Sequence, residues 1–270
     1  MQKLTKILII HFLLAQPLMH AMDTLENELK FLHNRLTSLR KAFTPIAQTI
    51  KPEPLPQAEP KFKKFNALGE RILPNGKKII VGIGDVEKVE NVDAVINAAN
   101  KNLQFGSGVA GAIAAALGAE GVKQVYAEIN AKYTTPVNVG SATPTSVPAN
   151  TLLAQRGFKY IIHAVGPDCR DQEQSKNWQM LLASAYRNAL TEAAKLNLKT
   201  ITVPALSIGV FQCDYQTAIT IMMGSITQAL LQPSSLEEVL LVVWSGGQNN
   251  TATAQNWLAA LDKAIRIATL

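Results

Sequence analysis

Ala94-Val95-Ile96-Asn97-Ala98-Ala99-Asn100, followed shortly by Gly106-Ser107-Gly108-Val109-Ala110-Gly111, is the stretch on which the reading of this chain turns. Ala94–Asn97 has the look of a short buried strand, and the second part runs into an apolar helix over Ala110–Leu117. Two asparagines directly beyond a strand offer donors and acceptors without charge, although asparagine there also serves as a turn residue. Glycines let backbone approach a ligand closely, and a helix N-terminus presents free N–H groups and a positive dipole end. Gly106 to Gly111 is therefore a candidate anion site that needs no lysine or arginine. It also spells the glycine pattern of dinucleotide-binding folds. The context counts against that reading, because eight residues, Ala98 to Phe105, separate the strand from Gly106, where such a fold turns tightly.

Working outward, Glu70–Leu73 and Lys78–Ile83 flank Pro74-Asn75-Gly76-Lys77, a hairpin signal. Further strands are expected at Ser141–Thr145, Lys159–Ala164, Thr200–Pro204 and Val239–Trp244. Further helices are expected at Val122–Ala131, Ser175–Leu196, Tyr215–Leu231 and Thr253–Ile267. Strands that alternate with helices predict a mixed central sheet covered on both faces. In such folds ligands lie beyond the carboxyl ends of the strands. Pro204-Ala205-Leu206-Ser207-Ile208-Gly209-Val210-Phe211 has the right composition for that place. It turns at glycine between a strand and a helix, can supply a second set of backbone donors, and carries Phe211 as an apolar wall or stacking face.

The first 21 residues resemble a secretory signal. Lys3 and Lys6 precede an apolar stretch from Ile7 to Ala15, Pro17 breaks it, and Ala21 is a candidate cleavage point. Export, to the periplasm or beyond, is expected, with a cytoplasmic amphipathic N-terminus as the alternative. The stretch is too short to span a bilayer as a mature helix. Met22, Leu25, Leu29, Leu32, Leu36, Leu39 and Phe43 then recur at steps of three and four, which predicts an amphipathic helix over Met22–Phe43. That helix could self-associate or dock. Pro45, Pro52, Pro54, Pro56 and Pro60 make residues 44–65 an extended linker, basic at its end, and leave 66–270 as the globular body.

Charge is unevenly placed. Residues 1–80 carry 13 Lys/Arg against 6 Asp/Glu, while residues 81–270 carry 13 against 14. The neutral body argues against a groove for nucleic acid. His163 is the one histidine of four that lies in the body, so a histidine metal cluster is excluded there. Cys169 and Cys213 are too few for a disulfide framework, and whether they pair is open in the sequence.

Together and in this order, the segments resemble the macrodomain family. Ile83-Gly84-Asp85-Val86 looks like the family's opening element. Val95 to Gly118 resembles its Asn-Ala-Ala-Asn stretch with the glycine loop. Tyr160 to Pro167, which contains His163, matches a further element, and Pro204 to Phe211 its second phosphate loop. The resemblance implies a three-layer α/β/α fold over 66–270 and a ligand that is ADP-ribose, free or attached to a protein. It implies that Asp85, with Val86 beside it, accepts from the adenine amino group. Trp244 takes the place of an adenine-facing aromatic, unless it is a core residue at a strand end. Asn100 would hydrogen-bond the distal ribose. Gly106, Ser107, Gly108, Val109 and Ala110 would clasp the diphosphate against Ser207, Ile208, Gly209, Val210 and Phe211, with Phe211 also against the distal ribose. His163 reads as structural and Asn97 as a residue that fixes the loop.

The implied reaction is hydrolysis that frees mono-ADP-ribose from a protein, or deacetylation of O-acetyl-ADP-ribose. Asn100, Gly108 and Phe211 are the positions that would carry it, by holding the ribose for a water activated by the ligand's own phosphate. No metal or other cofactor is required. Ser107 stands where many members have glycine, Ala110 where one hydrolytic subgroup has aspartate, and Gln212 where glycine commonly follows the aromatic. These departures keep a non-catalytic ADP-ribose reader as the alternative, although the Gly-Val-Ala-Gly form resembles a subgroup that hydrolyses without the aspartate. A Rossmann-type NAD-dependent oxidoreductase is the distant third reading.

Overall fold

The computed structural model describes residues 27–39 and 61–270, which belong to two units divided along the chain after residue 59. The signal-like segment and the linker as far as Pro60 lie outside the described residues. Of the helix expected over Met22–Phe43, residues 27–39 are helical (α1). Leu29, Leu32, Leu36 and Leu39 in it are exposed. Among the described residues no helix is long and apolar enough to cross a membrane.

The second unit holds strands β1 (Phe65–Ile72), β2 (Lys78–Gly84), β3 (Ala94–Ala99), β4 (Ala142–Ser146), β5 (Tyr160–Val165), β6 (Thr200–Val203) and β7 (Glu238–Trp244). Its helices are α2 (Gly108–Lys132), α3 (Leu152–Gln155), α4 (Gln172–Ser175), α5 (Trp178–Lys195), α6 (Tyr215–Leu231) and α7 (Asn250–Ala268). The strands form one sheet in the order β1-β2-β7-β6-β3-β5-β4. The edge strands β1 and β4 run antiparallel to their neighbours, and the interior run from β2 to β5 is parallel. The hairpin read from Pro74-Asn75-Gly76-Lys77 is present, closed by Leu73 N–H to the Lys77 carbonyl and Gly76 N–H to the Leu73 carbonyl, both at 2.8 Å.

Alternation along each strand feeds two separate cores. Ile79, Val81, Ile96, Ile162, Val239 and Leu241 pack with α5, α6 and α7. Ile80, Val95, Ile161, Leu240 and Val242 pack with α2 and Leu153 of α3. The result is the three-layer α/β/α arrangement, and it explains why β7 reads as unbroken apolar sequence: both of its faces are covered. In α2, Gly118 leaves the helical path (φ 68, ψ 171), at the break expected between Leu117 and Val122. Of the helix expected over Ser175–Leu196, Ser175 ends α4 and Trp178–Lys195 is α5. Asp171 caps α4 by accepting from the Glu173 and Gln174 N–H groups, and α5 starts afresh at Trp178.

Two polar clusters set the sheet's register. At the amino ends, the Asp93 carboxylate accepts from Lys199 N–H at 2.8 Å, Thr200 N–H at 3.0 Å and Lys159 Nζ at 2.7 Å. This joins β3, β5 and β6. Burial opposes ionisation of Asp93, but Lys159 and the backbone donors hold its carboxyl below the usual range. In mid-sheet, His163 of β5 is fully buried. Asn97 Nδ2 donates to its Nδ1 at 3.1 Å, so the proton sits on Nε2 and is donated to Thr145 Oγ1 at 2.9 Å.

Burial pushes the His163 pKa down to about 4, against an ordinary value near 6.5 in the unfolded chain. The unfolded state therefore binds the extra proton first as pH falls. Stability from this residue is complete above about pH 6.5 and is lost as pH drops towards 4, by roughly 3 kcal/mol over the window. Urea unfolding between pH 7 and pH 4 should show this slope, and His163→Gln should flatten it. A wild-type stability that stays level across the window would mean that the buried ring titrates as it does in the unfolded chain.

Candidate functional site

The topology creates a crevice before any side chain is considered. β3 and β6 are neighbours for the pairs Ala94↔Ile201 and Val95↔Thr202 only. Beyond them β3 continues beside β5 as far as Ala99↔Val165, and β6 beside β7 as far as Val203↔Leu241. The chain leaving β3 enters α2 on one face of the sheet, and the chain leaving β6 enters α6 on the other. Neighbouring parallel strands whose connections diverge to opposite faces leave an open groove at their carboxyl ends.

One wall is the segment from Asn100 to Ala110. The Asn100 side chain organises its own turn: Oδ1 accepts from Asn102 N–H at 3.0 Å and Gln104 N–H at 3.3 Å. Its Nδ2 donates to the Gln104 carbonyl at 2.7 Å. The amide has a second N–H to offer a ligand. Phe105 N–H donates to Tyr126 Oη at 2.9 Å, which pins the loop to α2. Gly106, Ser107 and Gly108 are exposed, Val109 is half-buried and Ala110 is buried. Gly108 has φ +62, in the region that favours glycine. Gly111 is required for another reason: a Cβ there would lie 2.6 Å from the Gly106 carbonyl oxygen. Ser107 is the N-cap of α2 but makes no side-chain cap bond, and no acidic residue occupies the first turn. The helix thus presents its N–H groups and dipole uncapped.

The opposite wall runs from Pro204 to Cys213. Tyr186 of α5, fully buried, holds its start: its hydroxyl accepts from Leu206 N–H at 2.7 Å and donates to the Pro204 carbonyl at 3.3 Å. Burial pushes that phenol well above its ordinary pKa, so it stays protonated. Ser207 (φ 66) and Gln212 (φ 51) adopt left-handed backbone. Gln212 therefore occupies a conformation that glycine takes freely, which gives the expected glycine at this position its physical reason. Ser207 is buried, and its Oγ has no hydrogen-bond partner. Ile208 and Phe211 are half-buried, while Gly209 and Val210 are exposed.

The loop after β5 closes against this wall. A Cβ on Gly166 would overlap Ser207 Oγ, Cys169 N–H donates to the Phe211 carbonyl at 2.9 Å, and Cys169 forms a disulfide with Cys213. The Arg170 guanidinium lies 5.8 Å from the Phe211 ring centroid. It is held there by two bonds to Asp168, of 2.8 and 2.6 Å.

At the far end of the groove, β2 and β7 finish level at Gly84↔Trp244. Asp85 follows, accepting from Ser245 Oγ and Lys88 Nζ, both at 2.8 Å. Partial burial works against ionisation, yet these two donors hold the Asp85 carboxyl below its usual range. Trp244 is 66% exposed, so it stands at the rim and the alternative of a core tryptophan is overturned. Val86 is buried, and its carbonyl accepts from Thr202 Oγ1 at 3.1 Å. It can face a ligand through its backbone alone.

Every sequence-derived site residue thus sits at the carboxyl edge of the parallel strands. Ser245, Lys88, Tyr186 and Arg170 support that edge and carry no local signal by which to pick them out, whereas Gly166 lies in the Tyr160–Pro167 element already singled out. The free state of the cysteines was left open, and they are paired. A separate hollow of about 410 Å³, lined by Phe62, Phe65, Ile80 and the Lys61–Glu238 ion pair, involves β1 and the amino ends of β2 and β7. It shares no residue with the groove.

A family model described as Macro domain matches residues 96–222. The Macro domain-containing protein in gbd 3'region of Cupriavidus necator is 32% identical over 168 residues, 62% of this chain and 91% of that protein. A protein of Archaeoglobus fulgidus named ADP-ribose glycohydrolase is 32% identical over 157 residues, 56% of this chain and 78% of its own. Among solved structures, the Oceanobacillus iheyensis macrodomain with ADP superposes with a TM-score of 0.61 at 27% identity, covering 74% of this chain and 98% of that one.

Tyr186→Phe removes the acceptor for the buried Leu206 N–H and the donor to Pro204. It should destabilise the unit by about 1–3 kcal/mol, the penalty for an unpaired buried group. A thermal or urea melt equal to wild type would mean that this phenol does not hold the loop.

Proposed function

The chain belongs to the macrodomain family, and from that premise we propose that the groove binds ADP-ribose and hydrolyses it from mono-ADP-ribosylated proteins, or deacetylates O-acetyl-ADP-ribose. The observation that carries this reading is the uncapped start of α2 behind Gly106–Gly108, faced by a second backbone loop at Ser207–Phe211. Two such loops suit a diphosphate, whose charge the helix dipole and N–H groups can hold in a neutral domain. Two similar proteins agree with it: one solved with ADP, one named ADP-ribose glycohydrolase.

In this pose adenine lies at Asp85, Val86 and Trp244. The diphosphate lies between Gly106–Ala110 and Ser207–Phe211, and the distal ribose lies at Asn100 and Phe211. Asn100 offers its remaining N–H to a ribose hydroxyl while its other bonds keep the turn rigid. Gly108 brings the backbone close, and Phe211 walls off the ribose. Attack is by water oriented beside the ligand's phosphate, so rate comes from positioning rather than from a side-chain base.

A reader without catalysis is the second reading, favoured by the burial of Ala110, where one hydrolytic subgroup carries aspartate. The Rossmann-type alternative is not retained. β3 runs to Ala99, which shortens the gap to Gly106, yet Asn100–Phe105 still intervene. We also propose export, on the signal-like start and on the Cys169–Cys213 disulfide, since such bonds persist in oxidising compartments. Self-association through Met22–Phe43 is proposed on its leucine spacing.

Incubation with a mono-ADP-ribosylated protein should release ADP-ribose, and Asn100→Ala should slow release by about 10²-fold or more, the scale of a lost positioning contact. Binding of free ADP-ribose by that variant should fall much less. Gly111→Ala, although better for the helix, should push the loop off Gly106 and weaken ADP-ribose binding by roughly tenfold. A wild type that binds but releases nothing leaves the reader standing, and one that binds nothing overturns both.

A further inference from the structure

We propose that the Cys169–Cys213 disulfide is a positioning element of the ligand site, and that cutting it loosens the protein's hold on the diphosphate and distal ribose but not on adenine. This rests on the pose proposed above. The segment Ser207–Gln212 contains two residues with positive φ that are not glycine, a conformation that persists only where surroundings enforce it. Its start is enforced by Tyr186. Beyond Ile208 the segment has little apolar anchorage, since Gly209, Val210 and Gln212 are exposed. Its far end turns back on its start through Cys213 N–H to the Ser207 carbonyl at 3.0 Å, and it is tied to the loop after β5 by Cys169 N–H to the Phe211 carbonyl at 2.9 Å and by the disulfide one residue past Gln212. Arg170, next to Cys169 in the chain and bonded to Asp168, lies over Phe211. Asp85, just past β2, and Trp244, at the end of β7, have no part in these ties.

The bond is open to exchange from one side. Cys169 is partly exposed and Cys213 is buried. A thiolate of a dithiol attacks the Cys169 sulfur, and Cys213 leaves as thiolate and takes a proton. The reagent's second thiolate then attacks its own sulfur in the mixed disulfide and releases Cys169 as a thiol. Two electrons and two protons pass to the protein, and the dithiol ends as a cyclic disulfide. The Pro167 carbonyl oxygen, 3.7 Å from Cys213 Sγ, can accept the new thiol's hydrogen. Freed from its anchor, the Phe211 end of the loop must be ordered at each binding event, which lowers affinity for whatever it clasps.

The test is calorimetric titration of the purified full chain with ADP-ribose and with AMP, before and after dithiothreitol, with thiols counted in each sample. Reduction should weaken ADP-ribose binding by roughly tenfold and AMP binding much less, since AMP lacks the second phosphate and the distal ribose. Cys169→Ser should behave as the reduced protein does and ignore dithiothreitol. Equal ADP-ribose affinity in the two states overturns the proposal. So does a parallel loss for both ligands, which would mark general destabilisation. Oxidised protein that binds AMP and ADP-ribose equally would instead overturn the pose on which it rests.

Discussion

The structure depends on where β3 and β6 part company. They share two residue pairs, Ala94↔Ile201 and Val95↔Thr202, and then send the chain to opposite faces of the sheet. Had both connections packed on one face, their loops would have covered the strand ends. Divergence leaves a groove with a loop on each side. The Asp93 carboxylate is the counterpart at the other end, gathering Lys199, Thr200 and Lys159 so that β3, β5 and β6 start together. With their starts fixed and their directions parallel, the strand ends must deliver Asn100, Pro204 and Gly166 to one edge.

Electrostatics explains why the groove can be neutral. The charged side chains at its ends are engaged with one another: Lys88 with Asp85, Arg170 with Asp168. Between them, the loops Gly106–Ala110 and Ser207–Phe211 offer backbone N–H groups and contain no lysine or arginine. A helix start contributes about half a unit of positive charge with several N–H donors, enough to favour an anion and directional enough to choose its geometry. The net charge of +6, concentrated before residue 81, has no part in this.

Elements whose signal is local were legible in the sequence. Six strands and the long helices follow from apolar periodicity and glycine or proline breaks, while β1 was read only over its last residues and begins at Phe65, inside the expected linker; Gly118 marks the kink in α2 because glycine alone tolerates its backbone there. The site residues were legible as loop composition after strands. What could not be read was contact across sequence distance. Tyr186 is one more apolar position in the α5 pattern until its hydroxyl is seen against Leu206. The cysteines are 44 residues apart, and nothing between them announces that two loops meet. Asn100 was read for a ligand role with turn chemistry as the other possibility, and it holds its own turn while keeping one N–H to offer. Sequence alone does not divide the two, because the same short amide that suits a ribose also suits an Asx turn.

The central claim is that backbone, not basic side chains, would hold the ligand's diphosphate between two loops. A crystal structure of the protein with ADP-ribose tests it most directly. The account predicts phosphate oxygens about 3 Å from backbone N–H groups of both Gly108–Ala110 and Ile208–Phe211, with adenine at Asp85. A diphosphate that contacts one loop only, or that is held by lysine or arginine side chains elsewhere on the surface, would contradict it.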